Sequence, residues 1–192
     1  MGERGMGIGV GDELMAHLRE ETAGADPWGV ECGVSQREVH DVAEGMLAAS
    51  YVSALEVGCA TGVFTARLMP RAGRLRVVDV LPEAIERCRR RCGAGPVYTV
   101  GGIQDWGEEY DLVVAMDVLC YVARLDLPAA IALLVRQLKP GGDLLFSCQG
   151  DRVLREWGLV GAEEMQLLME ACLQIGSCQW VGDTVVARYV KA

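Results

Sequence analysis

The stretch LEVGCATGVFTARL, residues 55–68, is the part of the sequence from which the fold can be inferred most directly. An apolar segment ends at Val57, a tight turn Gly58-Cys59-Ala60-Thr61-Gly62 follows, and a helix is predicted from about Val63. Glycine lets a backbone approach a ligand closely, and the N-terminus of the next helix offers unpaired N–H groups to a polar or anionic group. The pattern predicts a nucleotide-type binding turn, although such turns also occur where glycine is needed for packing alone.

Segments on both sides of this turn alternate between strand-like and helix-like patterns. Nearly continuous apolar runs separated by amphipathic segments are typical of a parallel sheet with helices on both faces. The strand-like segments are VSALEV (52–57), LRVVDV (75–80), PVYTV (96–100), YDLVVAM (110–116) and, after KPGG, DLLFSC (143–148). Near the C-terminus, a helix around 162–173 and strands near 178–181 and 184–190 predict an antiparallel hairpin at one edge. We therefore expect an α/β fold with about seven strands.

The part of the chain before the sheet predicts a different kind of structure. Residues 1–11 carry a glycine at every second or third position, which predicts a flexible leader. A helix capped by Asp12, a DPWG turn at 26–29 and an amphipathic helix after Ser35 predict a helical arm over residues 12–50. Because no linker or change of composition divides the sequence, we expect a single domain over residues 1–192.

Composition restricts the classes of partner. The chain has 192 residues with 18 Lys plus Arg against 27 Asp plus Glu, a formal charge of −9. The only dense basic run is Arg87–Arg91, so the balance disfavours a nucleic-acid partner, which needs a basic patch. No apolar run reaches the ~18 residues of a membrane span. We expect a cytoplasmic protein, monomeric or homodimeric, that binds a small molecule and not a membrane.

The cysteine pattern argues against a metal centre. Eight cysteines are present, but no pair has the CxxC spacing, and only His17 and His40 could complete a ligand set. In a reducing compartment cysteines are mostly small buried apolar residues. We expect neither a bound metal ion nor disulfides.

Carboxylates follow two of the predicted strands. Asp79 ends the strand after the turn, 17 residues beyond Gly62, and Asp117 follows the strand at 110–116. Ligands of open parallel sheets bind beyond the C-terminal strand ends, where the strand order reverses, so these residues should converge with Gly58 and Gly62. A carboxylate in the position of Asp79 can accept two ribose hydroxyls, although alone it could be a solvated strand end.

Two cofactors fit such a crevice, a dinucleotide and S-adenosylmethionine. Dinucleotide enzymes use GxGxxG, whereas the turn here reads G-x-A-x-G and is preceded by Glu56. Glu56 would repel a pyrophosphate but could attract an ammonium group. The acidic side chain therefore favours S-adenosylmethionine over NAD.

Four segments together resemble class I S-adenosylmethionine-dependent methyltransferases, a Rossmann-like fold. They are LEVGCATG, VVDVLPEAI, DLVVAMDVLCYV and LKPGG, in that order, and they cover roughly residues 52–148. Within that class the chain is similar to the nodulation protein S group of N-methyltransferases, through DPWG and the run REWGLVGAEE at 155–164. The resemblance implies methyl transfer to a small molecule, at nitrogen more than at oxygen.

The resemblance also implies roles for individual residues. Glu56, Gly58 and Gly62 would hold the methionine end, Asp79 the ribose hydroxyls, and Val80, Ile103 and Gln104 the adenine, with Cys59 and Met116 completing the cofactor site. The chain departs from the group at Gly102, where an Asp near the adenine amine is expected, and at Leu159 and Val160, where a His is expected. Adenine contact could then rest on backbone groups, Gln104 or Asp105, and the acceptor could differ from the nodulation sugar amine.

Transfer of a sulfonium methyl needs a neutral nucleophile in line behind it, so positioning does most of the work. Asp117 is the candidate to attract an ammonium and accept its proton, and Tyr121 the candidate to shape the acceptor pocket. Trp28 and Arg37, from the arm, could close over the cofactor. Three alternatives stay open: O-methyl transfer, an NAD-type oxidoreductase, and a non-catalytic protein that binds S-adenosylmethionine.

Overall fold

A computed structural model describes residues 11–150 and 160–192 of the chain. In these residues one seven-stranded sheet forms the centre of the fold. Its strands are β1 Tyr51–Val57, β2 Ala72–Asp79, β3 Val97–Val100, β4 Tyr110–Met116, β5 Leu138–Gln149, β6 Gln174–Val181 and β7 Thr184–Val190. Their spatial order is β3-β2-β1-β4-β5-β7-β6. The first five are parallel neighbours, and β7 and β6 add the antiparallel edge, so the predicted α/β sheet with a C-terminal hairpin is confirmed.

Helices connect and cover the strands. They are α1 Asp12–Ala23, α2 Val34–Met46, α3 Val63–Leu68, α4 Pro82–Cys92, α5 Leu127–Arg136 and α6 Ala162–Glu170, with short 3-10 turns at Pro27–Gly29 and Leu119–Tyr121. The buried apolar side chains of α2 and α3, with Ile85 and Cys88 of α4, belong to the apolar cluster on one face of the sheet, and those of α5 and α6 to the cluster on the other. The sheet is therefore buried on both faces, which is why its strands read as apolar runs.

The strand order reverses between β1 and β4. From β1 the chain proceeds outward through β2 and β3, then returns to place β4 on the opposite side of β1. The loops after β1 and β4 consequently diverge and leave a crevice at the carboxyl ends of the strands. This edge is where the sequence places the glycine turn, Asp79 and Asp117.

Several element boundaries differ from the sequence prediction, and three of the differences have a visible cause. Helix α1 begins at Asp12 with Gly11 in the capping position, so Asp12 is the first helical residue and not the cap. Strand β5 begins at Leu138 and includes the KPGG segment, because its pairing with β4 continues on both sides of an irregularity where the register jumps from Leu138 to Asp143. Strand β6 begins at Gln174, earlier than predicted, since it pairs with β7 from that residue onward.

Two of the sequence interpretations concern residues outside the described part of the chain. The leader at 1–11 lies there except for Gly11, and so does the first half of the run REWGLVGAEE, residues 155–159. None of the helices in the described ranges has the length and apolar character needed to cross a membrane.

The basic run at 87–91 fastens the N-terminal arm to the sheet domain. Arg87 on α4 donates hydrogen bonds to the backbone carbonyls of Gly24, at 2.9 Å, and Ala25, at 3.2 Å. Arg91, one turn later, pairs with Glu31 of the arm at 2.6 Å and donates to the carbonyl of Thr61 at 2.9 Å. Arg87 and Arg91 thus bind groups of this chain, although they belong to the basic run that was the candidate for nucleic-acid binding.

The tight packing behind the turn makes one substitution informative. Gly62 has φ +81°, and a Cβ there would lie 2.8 Å from Cys88 Sγ and 2.9 Å from Cys88 Cα. Gly141 also has a positive φ, +74°, but a Cβ there meets nothing within 4 Å. We expect Gly141→Ala to cost about 1 kcal/mol of unfolding free energy and Gly62→Ala a further ~1–3 kcal/mol. Urea unfolding of both variants checks this, and equal losses would contradict it.

Candidate functional site

A cavity of about 400 Å³ opens at the carboxyl ends of β1, β2 and β4, and residues of the N-terminal arm form its opposite wall. Ten of the thirteen residues predicted for the site line it: Trp28, Glu56, Gly58, Cys59, Asp79, Val80, Ile103, Met116, Asp117 and Tyr121. The topology therefore brings together residues that are up to 93 positions apart in the sequence, from Trp28 to Tyr121.

The turn between β1 and α3 forms the floor of the cavity. Gly58 and Gly62 have φ of +79° and +81°, and Ala60 has φ +47°, so the backbone is left-handed at three of its five residues. A Cβ on Gly58 would lie 2.1 Å from Val118 Cγ2. Glycine is required at Gly58 by its conformation and by close packing against the loop after β4.

Asp79 ties this turn to the end of β2. Its Oδ2 accepts a hydrogen bond from the backbone N–H of Ala60 at 3.1 Å, and its Oδ1 accepts one from that of Leu81 at 3.0 Å. The side chain is 8% exposed. Burial raises the pKa of Asp79 to about 6, against the opposing effect of these N–H groups. The carboxyl is thus both a fastening for the turn and a hydrogen-bond acceptor on the cavity wall.

Glu56 lies deeper, near the carboxyl end of β1. It is 2% exposed, and the hydroxyl of Thr65 on α3 donates to its Oε2 at 2.6 Å. Burial raises the pKa of Glu56 to about 8, and the Thr65 hydrogen bond opposes that shift. Glu56 is therefore largely protonated at neutral pH, and a cation at the cavity wall would favour its ionised form.

Asp117 occupies a strained backbone position directly after β4. Its φ is +51°, which is rare for a residue other than glycine. Its N–H donates to the backbone carbonyl of Ser147 on β5 at 3.0 Å and lies 3.1 Å from that residue's Oγ. Such outliers concentrate at functional sites, where the surrounding structure holds them in place. The position puts a carboxyl group on the cavity wall beside Met116.

The arm contributes an aromatic side chain to the same space. Trp28 lies in the DPWG turn, has φ +57°, and packs against the buried cluster of Leu18, Leu81 and Ala84, as Val80 and Tyr121 also do. The Asp26 carboxylate accepts hydrogen bonds from the backbone N–H groups of Glu31 and Cys32, at 2.8 and 2.9 Å, and so stabilises the loop that follows the turn. The arm thus covers the part of the cavity beside the end of β2.

Three predicted site residues lie off the cavity wall. Gly62 is buried and packs against Cys88 of α4. Gln104 follows the lining residue Ile103 in the chain but does not itself line the cavity. Arg37 is exposed on α2. Spacing along the sequence did not show which residues of the turn at 58–62 and of α2 face the cavity. Asp105 is not a lining residue either, since its carboxylate pairs with Arg136 at 2.7 Å. The wall after β3 is formed by Gly101, Gly102 and Ile103.

Four polar lining residues were not predicted from the sequence. Ser35, Gln36 and His40 come from α2, and Gln149 from the end of β5. Gln36 and His40 are four apart, and His40 stands between the apolar positions Val39 and Ala43. A polar residue inside an apolar helical stripe is a signal that could have identified His40.

The electrostatic character of the cavity is acidic. Its lining contains the carboxyl groups of Glu56, Asp79 and Asp117, and over residues 11–150 and 160–192 it contains no lysine or arginine. A ligand with a positively charged group suits this wall, whereas a pyrophosphate would be repelled.

Comparison with known proteins agrees with this geometry. Residues 10–191 match the family model for nodulation protein S (NodS). The chain is 37% identical to nodulation protein S of Rhizobium tropici, over 87% of this chain and 74% of that protein, and 37% identical to that of Bradyrhizobium diazoefficiens, over 94% and 93%. It also superposes on the crystal structure of the N-methyltransferase NodS from Bradyrhizobium japonicum WM9 in complex with S-adenosylhomocysteine. That match has a TM-score of 0.87 and 29% identity, over 94% of this chain and 99% of that one.

The raised pKa of Glu56 predicts a pH-dependent stability. Between pH ~4.5 and ~8 the unfolded chain has lost the proton that folded Glu56 keeps, so this residue lowers the free energy of unfolding as the pH rises. Glu56→Gln does not titrate and can still accept from Thr65. We expect the stability of Glu56→Gln relative to wild type to rise from pH 5.5 to 8, by on the order of 1 kcal/mol per pH unit.

Urea unfolding at several pH values measures this difference in the empty protein. Glu83→Gln, at an exposed position on α4, is the control and should show a much weaker dependence on pH. A Glu56→Gln difference that stays constant over this range would show that Glu56 is ionised in the folded state.

Proposed function

The chain belongs to the nodulation protein S family and is an S-adenosylmethionine-dependent methyltransferase, and we propose that its acceptor is a small molecule with a nucleophilic amine. The observation that carries the choice of acceptor is Asp117 on the cavity wall, a carboxyl group in addition to Glu56 and Asp79, which we assign to the cofactor. A cationic or neutral amine can enter such a cavity, whereas an anionic acceptor would be repelled by it. The N-methyltransferase named for the Bradyrhizobium japonicum structure supports the same choice.

We assign the parts of the cavity to the parts of the cofactor as follows. Glu56, beneath the glycine turn, would pair with the ammonium of the methionine moiety, and Asp79 would accept the ribose hydroxyls. The adenine would lie between Val80 and the segment Gly101–Ile103, which line the same cavity. The residues present fit the group, since Glu56 and Asp79 line one cavity, and a cation beside the buried Glu56 carboxyl favours its ionised form.

When bound, S-adenosylmethionine supplies an electrophilic methyl group on a positively charged sulfur. The side chains of this protein would then have three tasks: to orient the acceptor nitrogen, to accept its proton and to exclude water. Asp117 is placed for the first two, because it lies on the wall at the end of β4, beside Met116. An acceptor amine arrives mainly as ammonium at neutral pH, so a carboxylate first attracts it and then takes up its proton, directly or through water. The neutral nitrogen then carries the lone pair that the transfer requires.

Tyr121 and Trp28 are proposed to shape and close the site. Both pack in the cluster around Leu81, and both line the cavity. Aromatic rings at this entrance would hold the acceptor in line and reduce the access of water. The arm carrying Trp28 is held to α4 by Arg87, so it is fastened in the covering position.

Ligand binding tests the cofactor assignment. S-adenosylhomocysteine should raise the thermal unfolding temperature of the protein and NAD should not, because only a ligand of the native state stabilises it. Asp79→Asn should weaken S-adenosylhomocysteine binding about tenfold or more, since it removes charged hydrogen-bond acceptors for the ribose. Stabilisation by NAD in place of S-adenosylhomocysteine would support the oxidoreductase alternative.

A second variant tests the role of Asp117. We expect Asp117→Asn to leave the affinity for S-adenosylhomocysteine within about twofold and to lower the rate of methyl transfer at least tenfold, because the amide cannot accept the proton. The assay follows tritiated methyl groups from S-adenosylmethionine into an extract that contains the acceptor. An unchanged rate would remove Asp117 from the mechanism. The absence of any transfer by the wild-type protein would favour the non-catalytic alternative, and label in an ether or ester would favour O-methyl transfer.

A further inference from the structure

One buried polar side chain of the cavity has no role in the proposed function. His40 lies on α2 and lines the cavity, and it is 6% exposed. Its Nδ1 atom is buried and has no hydrogen-bond partner in the structure. Because an unsatisfied buried polar atom costs roughly 1–3 kcal/mol, such an atom beside a ligand cavity indicates a group that a ligand satisfies.

The protonation state of His40 limits what this group can be. Burial, and after it the nearby Arg67 guanidinium, lower the pKa of His40 to about 4, while Asp41 opposes the shift. The imidazole is therefore neutral at physiological pH and offers one N–H donor and one lone pair. A neutral donor can bind an anionic oxygen without placing a second charge in the interior.

The cofactor brings such an oxygen. Its methionine moiety carries a carboxylate as well as the ammonium that we assign to Glu56. In residues 11–150 and 160–192 the cavity lining has no lysine or arginine to meet a carboxylate. The carboxylate must then be held by neutral N–H or O–H groups, since leaving it unpaired in a buried site would be costly.

The glycine turn has few such groups left. The N–H of Gly58 donates to the carbonyl of Val78 at 2.8 Å, that of Gly62 to the carbonyl of Cys59 at 2.8 Å, and that of Ala60 to Asp79. Three of the N–H groups that a ligand could meet are thus already bonded within the chain. Beside the N-terminal N–H groups of α3, at Val63 and Phe64, side chains of the opposite wall can supply neutral donors.

His40 is close to the methionine end of the proposed cofactor site. Its ring lies against that of Phe64, with centroids 5.2 Å apart, at the start of α3. The next residue, Thr65, donates to the Glu56 carboxyl. Gln36, one helical turn before His40, lines the same wall and carries a second neutral donor.

We propose that His40, assisted by Gln36, binds the carboxylate of the methionine moiety of S-adenosylmethionine by hydrogen bonds from neutral donors. This inference rests on the proposed function, because it takes the ammonium of the same moiety to lie at Glu56. The ammonium of the methionine moiety would then lie at Glu56 of β1, and its carboxylate at His40 and Gln36 of α2. The arm of the fold thereby forms part of the cofactor site and does more than cover it.

Two ligands that differ only at the carboxylate test the proposal. They are S-adenosylhomocysteine and its decarboxylated analogue, in which hydrogen replaces the carboxylate and the amine is kept. Calorimetry should show that His40→Leu weakens S-adenosylhomocysteine binding at least tenfold and leaves binding of the analogue within twofold. His40→Gln, which keeps an N–H donor, should restore most of the affinity. Glu38→Gln, an exposed residue of α2, is the control and should change neither affinity.

Thermal unfolding separates this role from a structural one. Because Leu removes the unsatisfied Nδ1, empty His40→Leu should be as stable as wild type or more so, while its stabilisation by S-adenosylhomocysteine falls. If His40→Leu does not fold, His40→Met replaces it, since Met adapts to irregular space.

Equal weakening of both ligands, or an unchanged affinity for S-adenosylhomocysteine, would overturn the proposal for His40 and leave the proposed function standing. Failure of the wild-type protein to bind either ligand would overturn both.

Discussion

The backbone turn between β1 and α3 is the constraint on which the rest of this structure depends. It connects β1 to α3 within five residues. Val118 packs closely against Gly58, and Cys88 packs closely against Gly62, so neither position has room for a Cβ. Only residues without a Cβ fit both places, and their left-handed conformation sets the direction of α3. Since β1 lies at the point where the strand order reverses, the geometry of this turn also sets the floor of the cavity.

Burying the carboxyl groups of Glu56 and Asp79 near that turn disfavours their ionised forms. Burial raises the pKa of Glu56 and of Asp79, so each ionises less readily than it would in water. The same burial places them in a weakly screened environment, where a cationic ligand interacts with them more strongly. Burial has the corresponding effect on His40: it lowers the pKa of the imidazole, which stays neutral, and the buried Nδ1 has no hydrogen-bond partner. A ligand that pairs with these buried carboxyl groups and with the His40 side chain would therefore stabilise the folded protein.

The basic residues of α4 act outside the cavity. Arg87 and Arg91 bind carbonyls and a carboxylate of the arm and the turn, so the arm, the turn and α4 form one connected unit. This arrangement keeps positive charge off the cavity wall while using it to hold the covering segment. The acidic cavity and the basic run at 87–91 can therefore exist in the same fold, because the two described arginines pair away from the cavity.

Local pattern was sufficient to predict the sheet, its antiparallel edge, the turn at 58–62 and the positions of Asp79 and Asp117 at strand ends, because strand and helix periods and turn chemistry are properties of neighbouring residues. The same pattern could not show that Gly62 faces α4, that Gln104 and Arg37 lie off the cavity wall, or that His40 lies on it. Those outcomes depend on how α2 and the arm pack across the sheet, through contacts between residues far apart in the chain. The sequence determined which chemical groups meet at the carboxyl edge, and the tertiary structure decided which of them face the cavity, because a residue's spacing along the chain does not specify its direction in the packed fold.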